Sequence, residues 1–390
     1  MQGGVGDFTR EIGLALNELG AEVSVISSTK AGSGERASTS DPGTVIRREG
    51  AQLSLYPVVE NWGFTCWAQL GDLLERIGAE VLNTQYQTAA YQMHPAINLL
   101  PWRLRWRSQR PKVIVTFHDL KLPYLFPKAG PARRWVTQAL IRCSDATIVT
   151  NVEDRAQAEL YGAVEPLLLP IGSNIASQEP PGYSRAAWRR RWSVGDDEIL
   201  LCYFGFLNES KGAETLFRAL ARLVATGERV KLLMIGGKVG SSDPSNVGYL
   251  RKMEELITEL GLEERVIWTG FVEAMEVSAS FWASDLCVLP YRDGVSFRRG
   301  TLMAALAHGM AIVSTQPRVK IPEIVEGENM ALVAPDDVEG LAGKIRELVA
   351  SPGRRSRLSR GAAQLSRQFS WESIAARTLE LYARVLEEDA

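Results

Sequence analysis

Residues 200–212 read LLCYFGFLNESKG. Leu200 to Phe204 form a short continuous apolar run of strand type. Gly205 and a polar loop follow, and Lys211 stands before Gly212 and a helical pattern that begins at Ala213. Strand, loop and helix in that order make a βα unit, which puts its loop at the carboxyl edge of a parallel sheet, where open α/β sheets bind ligands. A lysine there can neutralise charge on a departing diphosphate. The helix dipole mildly opposes a cation before a helix start, and this mismatch favours a functional lysine over an incidental surface one.

Working outward, similar runs recur at Val23 to Ser27, Val113 to Phe117, Ala146 to Thr150, Lys231 to Ile235, Leu286 to Pro290 and Ala331 to Val333, separated by helical patterns. The alternation predicts parallel sheets with helical crossovers. A strand-like stretch ends in the polar loop IGSN at residues 171–174, and the Pro/Gly-rich QEPPGYS follows at 178–184. That is where a linker is expected. The reading is an N-terminal domain over residues 1–172, a C-terminal domain over 173–370, and a last helix, Trp371 to Glu387, that crosses back to brace a hinge near Pro170 to Asn174.

Composition narrows the classes. Of 390 residues, 45% are hydrophobic and 23% charged, the balance of a soluble protein able to bury large cores. Lys plus Arg (44) nearly equals Asp plus Glu (46), so no global field draws the chain to nucleic acid or an anionic membrane. Local basic clusters exist at Arg103, Arg105, Arg107, Arg110 and Lys112, and at Arg185, Arg189, Arg190 and Arg191. Both read first as solvated surface. In the first, Trp102 and Trp106 interleave with the arginines, and docking to lipid headgroups is the alternative. Cys66, Cys143, Cys202 and Cys287 form no CxxC pair, which argues for reduced thiols and no metal site. With no bilayer-length apolar run and no signal peptide, the expectation is a cytoplasmic protein, with peripheral contact at the inner face of the membrane left open.

Further candidate groups sit at strand ends and helix starts. Gly3, Gly4 and Gly6 form a glycine loop running straight into a helix from Asp7 to Leu19, where backbone N–H groups could approach a diphosphate. The strand that normally precedes such a loop is missing, and it would ordinarily be central. His118 and Asp119 follow the strand Val113 to Phe117 directly, at a carboxyl edge, whereas His94 and His308 read as structural. After Pro290 comes Tyr291-Arg-Asp-Gly-Val-Ser-Phe-Arg-Arg-Gly300 and then a helix from about Thr301 to His308. A polar loop, two arginines and a helix N-terminus make an anion site. Arg299 is slightly favoured over Arg298, being nearer the helix start.

Taken in order, GGVGDFTREIGLAL (3–16), TFHD (116–119), LLPIGSN (168–174), FGFLNESKG (204–212), VIWTGF (266–271), LPYRDG (289–294) with AALAHGMAIVST (304–315), IPEIVEGENMALV (321–333) and FSWESIAARTLELY (369–382) resemble the family 4 glycosyltransferases of the GT-B fold. The resemblance covers essentially the whole chain after the missing strand. It implies an α/β protein of two Rossmann-like domains facing across a cleft, with acceptor on the N-terminal side and nucleotide sugar on the C-terminal side. It further implies retention at the anomeric carbon and no obligatory metal. At matching positions, Gly3 and Gly4 approach the donor phosphates, His118 contacts the transferred sugar, Lys211 stabilises the diphosphate, and Gly270, Phe271 and Val272 lie near the base.

The chain departs from the family at three positions. Phe206 stands where an arginine follows the glycine of the phosphate loop, and Ser296 and Ala304 stand where two glutamates, with seven residues between them, contact sugar and ribose. Arg298 or Arg299 is expected to restore the lost charge, with Asp293 facing sugar hydroxyls.

The site so expected comprises His118, Lys211 and Arg299 as catalytic groups. Gly3, Gly4, Phe206, Gly270, Phe271, Val272, Asp293, Gly294, Ser296, Arg298, Gly300 and Thr301 hold the donor. Gln85, Tyr86 and Asp119 hold the acceptor, whose choice rests on the loops Gln85 to Pro95 and Lys121 to Arg134. The reaction expected is hexose transfer from a UDP- or GDP-sugar to a hydroxyl of a glycan, lipid or small molecule, with no cofactor. No matched position supplies a carboxylate nucleophile, so front-face attack is expected in place of the paired-carboxylate route. Two alternatives remain: a non-catalytic nucleotide- or glycan-binding GT-B protein, and a nucleotide-sugar epimerase.

Overall fold

The computed structural model describes residues 4–29, 44–48, 50–120, 130–237 and 245–388, and the chain divides into two compact units, Met1–Gly172 with Ser370–Ala390, and Ser173–Phe369. The first unit holds α1 (Gly4–Glu18), β1 (Ser24–Ser28), β2 (Thr44–Arg48), β3 (Ala51–Val59), α2 (Cys66–Arg76), β4 (Val81–Tyr86), α3 (Ala96–Leu104), β5 (Lys112–Phe117), α4 (Gly130–Cys143), β6 (Ala146–Val149), α5 (Val152–Tyr161) and β7 (Leu167–Leu168). The second holds α6 (Arg185–Arg191), β8 (Ile199–Phe204), α7 (Ala213–Ala225), β9 (Val230–Ile235), α8 (Ser245–Glu259), β10 (Val266–Trp268), α9 (Ala274–Ala283), β11 (Leu286–Leu289), α10 (Gly300–Ala307), β12 (Ile312–Thr315), β13 (Ala331–Val333), α11 (Val338–Val349) and α12 (Pro352–Ser366). The last helix, α13 (Trp371–Glu387), belongs to the first unit.

In the first unit, β4-β5-β6-β7 form a parallel sheet, while β1-β3-β2 form a second sheet in which β1 and β3 are parallel and β2 and β3 antiparallel. The antiparallel pair corrects the all-parallel expectation. Its cause is local: Gly50, at φ +82, turns the chain, and buried Ala51, Leu53, Leu55 and Val59 recur at even spacing along β3. β5 is buried on both faces. Val113, Val115 and Phe117 pack in one core, and Ile114 packs in another with Ile148, Leu169, Leu381 and Val385. α13 thus supplies part of the cover, and Ile374 and Ala375 also meet Phe8, Ile12, Ala15 and Leu16 of α1. Three further contacts tie it down. Arg377 donates to the Leu168 carbonyl at 3.0 Å, Asn83 donates to Tyr382 Oη at 2.7 Å, and the Trp371 indole lies so near Gly172 that a Cβ there would be 2.7 Å from it.

The second unit is one six-stranded parallel sheet ordered β10-β9-β8-β11-β12-β13. Its strands read as near-continuous apolar runs because helices cover both faces. From β8 the chain steps to β9 on one side, and later strands build outward from β11 on the other. The loops after β8 and β11 therefore sit at the point where strand order reverses, the usual ligand crevice of an open α/β sheet. In the second basic cluster Arg185, Arg190 and Arg191 are exposed, as expected, and one member is corrected. Arg189 is buried, and its guanidinium reaches the Ala283, Gly195 and Glu198 carbonyls and the Asp285 carboxylate, anchoring α6 rather than facing solvent.

Candidate functional site

The carboxyl edge of the second unit's sheet is built from tight backbone. Gly205 leaves β8 at φ +112, and a Cβ on it would lie 2.7 Å from Thr301 Cγ2 and 3.0 Å from Lys211 Nζ. Glycine is therefore what lets the lysine and the α10 start close on the strand end. Lys211 Nζ donates to the Phe206 carbonyl at 2.9 Å, and burial, with Arg299 nearby, lowers its pKa to about 8. It remains largely a cation at neutral pH. Gly212, at φ +71, opens α7, and a Cβ there would overlap the Pro290 carbonyl oxygen.

The loop after β11 is locked to the loop after β8. Arg292 N–H donates to the Ser210 carbonyl at 2.9 Å, and its guanidinium bridges Glu209 at 2.7 Å and Asp336 at 2.9 Å, which raises its pKa further. Gly294, at φ +83, turns the chain where a side chain would strike the Gln316 carbonyl. Arg299 then caps α10. Its guanidinium lies 4.7 Å from the Tyr291 ring centre and donates to Asp293, and its Nε is buried with no hydrogen-bond partner. Arg298 also approaches Asp293, at 3.7 Å. Tyr291 Oη and Thr301 Oγ1 are 2.6 Å apart, and burial raises the phenol's pKa. On the other side, Gly270 turns at φ +71 and forms a bridge with Gly236, whose own Cβ position is 3.8 Å from Gly205 Cα. Val272 is half-buried beside the exposed Phe271.

One edge thus gathers Gly270, Phe206, Lys211, Asp293, Gly294, Arg298, Arg299, Gly300 and Thr301. Ser296 and Ala304 are buried: the Ser296 carbonyl takes the Arg299 N–H at 3.1 Å, and Ala304 lies inside α10. Tyr291, which both holds Thr301 and underlies Arg299, was missed in the sequence. Its place between β11 and YRDG was the available signal.

The first unit carries its own set. His118 follows β5, is half-buried, and has its Nε2 2.9 Å from Gln85 Oε1, with the Phe8 ring edge-on at 4.7 Å. Burial lowers its pKa to about 4, so at neutral pH it is an uncharged hydrogen-bonding group, unsuited to give up a proton as an acid. Gln85 is therefore the residue that orients His118. Tyr86 is corrected: it is buried in the core, where its hydroxyl accepts from Asn98 at 2.8 Å, so it packs the sheet and faces no acceptor. Asp119 is half-buried beside His118. The glycine loop is also corrected, since the helix already begins at Gly4, which makes Gly4 and Gly6 its first turn, while Gly3 lies outside the described residues. Most of the loop from Lys121 to Arg134 lies outside them as well. His94 and His308 are structural. His94 Nδ1 accepts the Ala96 N–H at 3.1 Å, and buried His308 stacks on Phe281 with Nδ1 2.7 Å from the Ala304 carbonyl. Among the described residues no cluster could hold a metal ion, and no helix is long and apolar enough to cross a membrane.

Two family profiles match the chain: "Glycosyl transferase 4-like domain" over residues 3–172 and "Glycosyl transferases group 1" over residues 198–351. A D-inositol 3-phosphate glycosyltransferase of Xylanimonas cellulosilytica is 29% identical over 63% of this chain and 58% of its own length. One of Kineococcus radiotolerans is 27% identical over 67% and 62%. The chain therefore spans about three fifths of the length of these relatives. Among solved structures, a glycosyltransferase of Rickettsia africae superposes with TM-score 0.74 at 17% identity, covering 99% of this chain and 96% of its own. The sucrose-phosphate synthase of Thermosynechococcus elongatus gives 0.68 at 22%, covering 99% and 94%. With both halves of the sequence matched in order and both units folded as Rossmann-like α/β layers, the chain belongs to the family 4 glycosyltransferases of the GT-B fold.

Proposed function

We propose that the chain is a retaining, metal-independent hexosyltransferase whose second unit binds a UDP- or GDP-sugar and whose first unit binds a hydroxyl acceptor, a glycan, lipid or small molecule. The observation that carries the reading is the convergence of Lys211, Arg298 and Arg299 on the carboxyl edge where strand order reverses. Three cations there can take up the charge that develops on a departing diphosphate without a divalent ion. His118, neutral and donating its Nε2–H to the Gln85 side-chain oxygen, accepts a hydrogen bond at Nδ1 from a hydroxyl of the transferred sugar. With Asp293 engaged by the arginines, the acceptor oxygen attacks from the leaving-group side and its proton passes to the diphosphate oxygen.

The matched relatives, named for a phosphorylated inositol, support a polyol acceptor. Four free thiols support a reducing, cytoplasmic setting. Peripheral contact with an anionic membrane is supported by three exposed tryptophans, Trp102 (47%), Trp106 (73%) and Trp135 (62%), on and beside the packed helices α3 and α4, with exposed Arg103 and Arg134 among them.

The test is calorimetric titration of UDP, GDP, ADP and their glucose or mannose conjugates into the wild type and Lys211→Ala, with and without EDTA. The expected result is micromolar binding of one nucleotide, insensitive to EDTA and at least about tenfold weaker in Lys211→Ala. Equal binding by both proteins would refute the assigned site. The winning donor, incubated with candidate polyols, should give an axial or equatorial anomeric NMR coupling unchanged from that of the donor, and an inverted product would overturn the retaining assignment.

A further inference from the structure

From the ion pairs around α10 we infer that Asp293 is a built-in counter-ion, which matches the charge of the phosphate-binding edge to an intact nucleotide sugar rather than to the nucleoside diphosphate it releases. The inference rests on the donor-site reading above and deepens it.

Asp293 meets both arginines, Arg298 at 3.7 Å and Arg299 in a hydrogen bond. Among the described residues it is the carboxylate that pairs with either of them. Lys211 rests on a backbone carbonyl, and Arg292 is already held by Glu209 and Asp336. Lys211, Arg298 and Arg299 with Asp293 leave two positive charges among these four groups, beside the Arg292, Glu209 and Asp336 cluster, which carries one net negative charge. A sugar diphosphonucleoside is a diester of diphosphate and carries two negative charges. The free nucleoside diphosphate gains a third near neutral pH, because its terminal phosphate loses its last proton with a pKa of roughly 6. These four groups are therefore neutralised by the donor and over-filled by the product.

The geometry shows why the arginines accept this arrangement while remaining available. Arg299 lies against the Tyr291 ring and caps α10, so its guanidinium is positioned before any ligand arrives. Its Nε is buried with no hydrogen-bond partner. The backbone beside Asp293 is held by the tight turn at Gly294, where a side chain would strike the Gln316 carbonyl, and the carboxylate is held by the two arginines. The carboxylate thus stays in the site when ligand binds and repels it in proportion to ligand charge. Asp293 is a positioning residue: it acts through the arginines and by charge.

Removing the carboxylate should tighten both ligands, the product more than the donor. Coulomb energy scales with charge, so the free-energy gains stand as three to two, and a tenfold gain for UDP-glucose implies about thirtyfold for UDP. The experiment is titration of UDP and UDP-glucose, and of GDP and GDP-mannose, into wild type, Asp293→Asn, Asp293→Glu and Lys211→Ala, with thermal unfolding of each protein without nucleotide. Tighter binding by Asp293→Asn, a shift of preference toward the diphosphate, and a wild-type pattern in Asp293→Glu support the inference. Unchanged or weaker binding by a folded Asp293→Asn overturns it. Should that variant not fold, Arg298→Ala serves, weakening UDP more than UDP-glucose, and equal weakening counts against the inference. Loss of binding in Lys211→Ala without a gain in Asp293→Asn leaves the donor site standing and removes the counter-ion. Absence of nucleotide binding by the wild type removes both.

Discussion

Replacing Gly212 by alanine tests the join on which the donor edge depends. Gly212 opens α7 at φ +71, and Gly227 follows the same helix at φ +85, so alanine at either position carries the left-handed penalty of about 1–2 kcal/mol. Their surroundings differ. A Cβ on Gly227 meets nothing within 4 Å, whereas one on Gly212 overlaps the backbone oxygen of Pro290, at the end of β11. Backbone cannot swing aside like a side-chain tip, so one of the two loops must move, at a further cost of about 1–3 kcal/mol. The sum, about 2–5 kcal/mol, corresponds to a melting-point drop of roughly 4–20 °C for a unit of this size, against about 2–8 °C for Gly227→Ala. Differential scanning calorimetry of the two variants measures the difference directly. The displaced loop carries Lys211, so UDP affinity should fall in Gly212→Ala and hold in Gly227→Ala. Equal melting points and equal affinities would show that the close approach to Pro290 constrains neither fold nor site.

Two further outcomes are expected. His118 has its pKa lowered from 6.5 to about 4, so in that interval the unfolded chain takes up a proton that the folded chain refuses, and stability is complete above 6.5 and declines as pH falls toward 4. The loss is at most about 3 kcal/mol, less for solvent screening at a half-buried ring. Urea midpoints measured across this range should flatten in His118→Asn, and an unaltered slope would assign the decline to other groups. Serine at Trp102, Trp106 and Trp135 together should abolish cosedimentation with phosphatidylglycerol vesicles while leaving UDP binding intact. Persistent cosedimentation would move the contact elsewhere.

The parts of the fold that were legible are those where burial writes itself into consecutive residues. β8 and β11 are apolar throughout because helices cover both faces, and α13 is bounded by the Ser370 cap, whose hydroxyl accepts the Ser373 N–H at 3.2 Å. β2 and β3 were missed although Ala51, Leu53 and Leu55 alternate with polar neighbours, because an edge sheet with one wet face dilutes the apolar signal. The site divides in the same way. Lys211 and Arg299 could be placed from strand ends and helix starts. The pairing of His118 with Gln85 could not, since it joins adjacent strands across 33 positions of sequence. The burial of Tyr86 was hidden for a related reason: which face of β4 meets the core depends on α3, through Asn98.

The two absent glutamates acquire a physical meaning from α10. Ala304 is 1% exposed, and its carbonyl is held by His308, whose other nitrogen lies 2.8 Å from Ser278 Oγ in the same core. A carboxylate at 304 would have to be desolvated there unless the helix shifted outward, a cost of several kcal/mol that a hydrogen bond to ribose would only partly offset. Ser296 is likewise enclosed, with its carbonyl spent on the Arg299 N–H. On the proposed donor site, no carboxylate stands at 296 or 304 to grip sugar or ribose hydroxyls, and the positive charge absent at Phe206 beside Gly205 is offered by Arg298 and Arg299 on the loop after β11. On that proposal, recognition rests more on charge at the diphosphate than on directional contacts with hydroxyls. A site built that way needs a counterweight against its own product, and Asp293 stands where one would act.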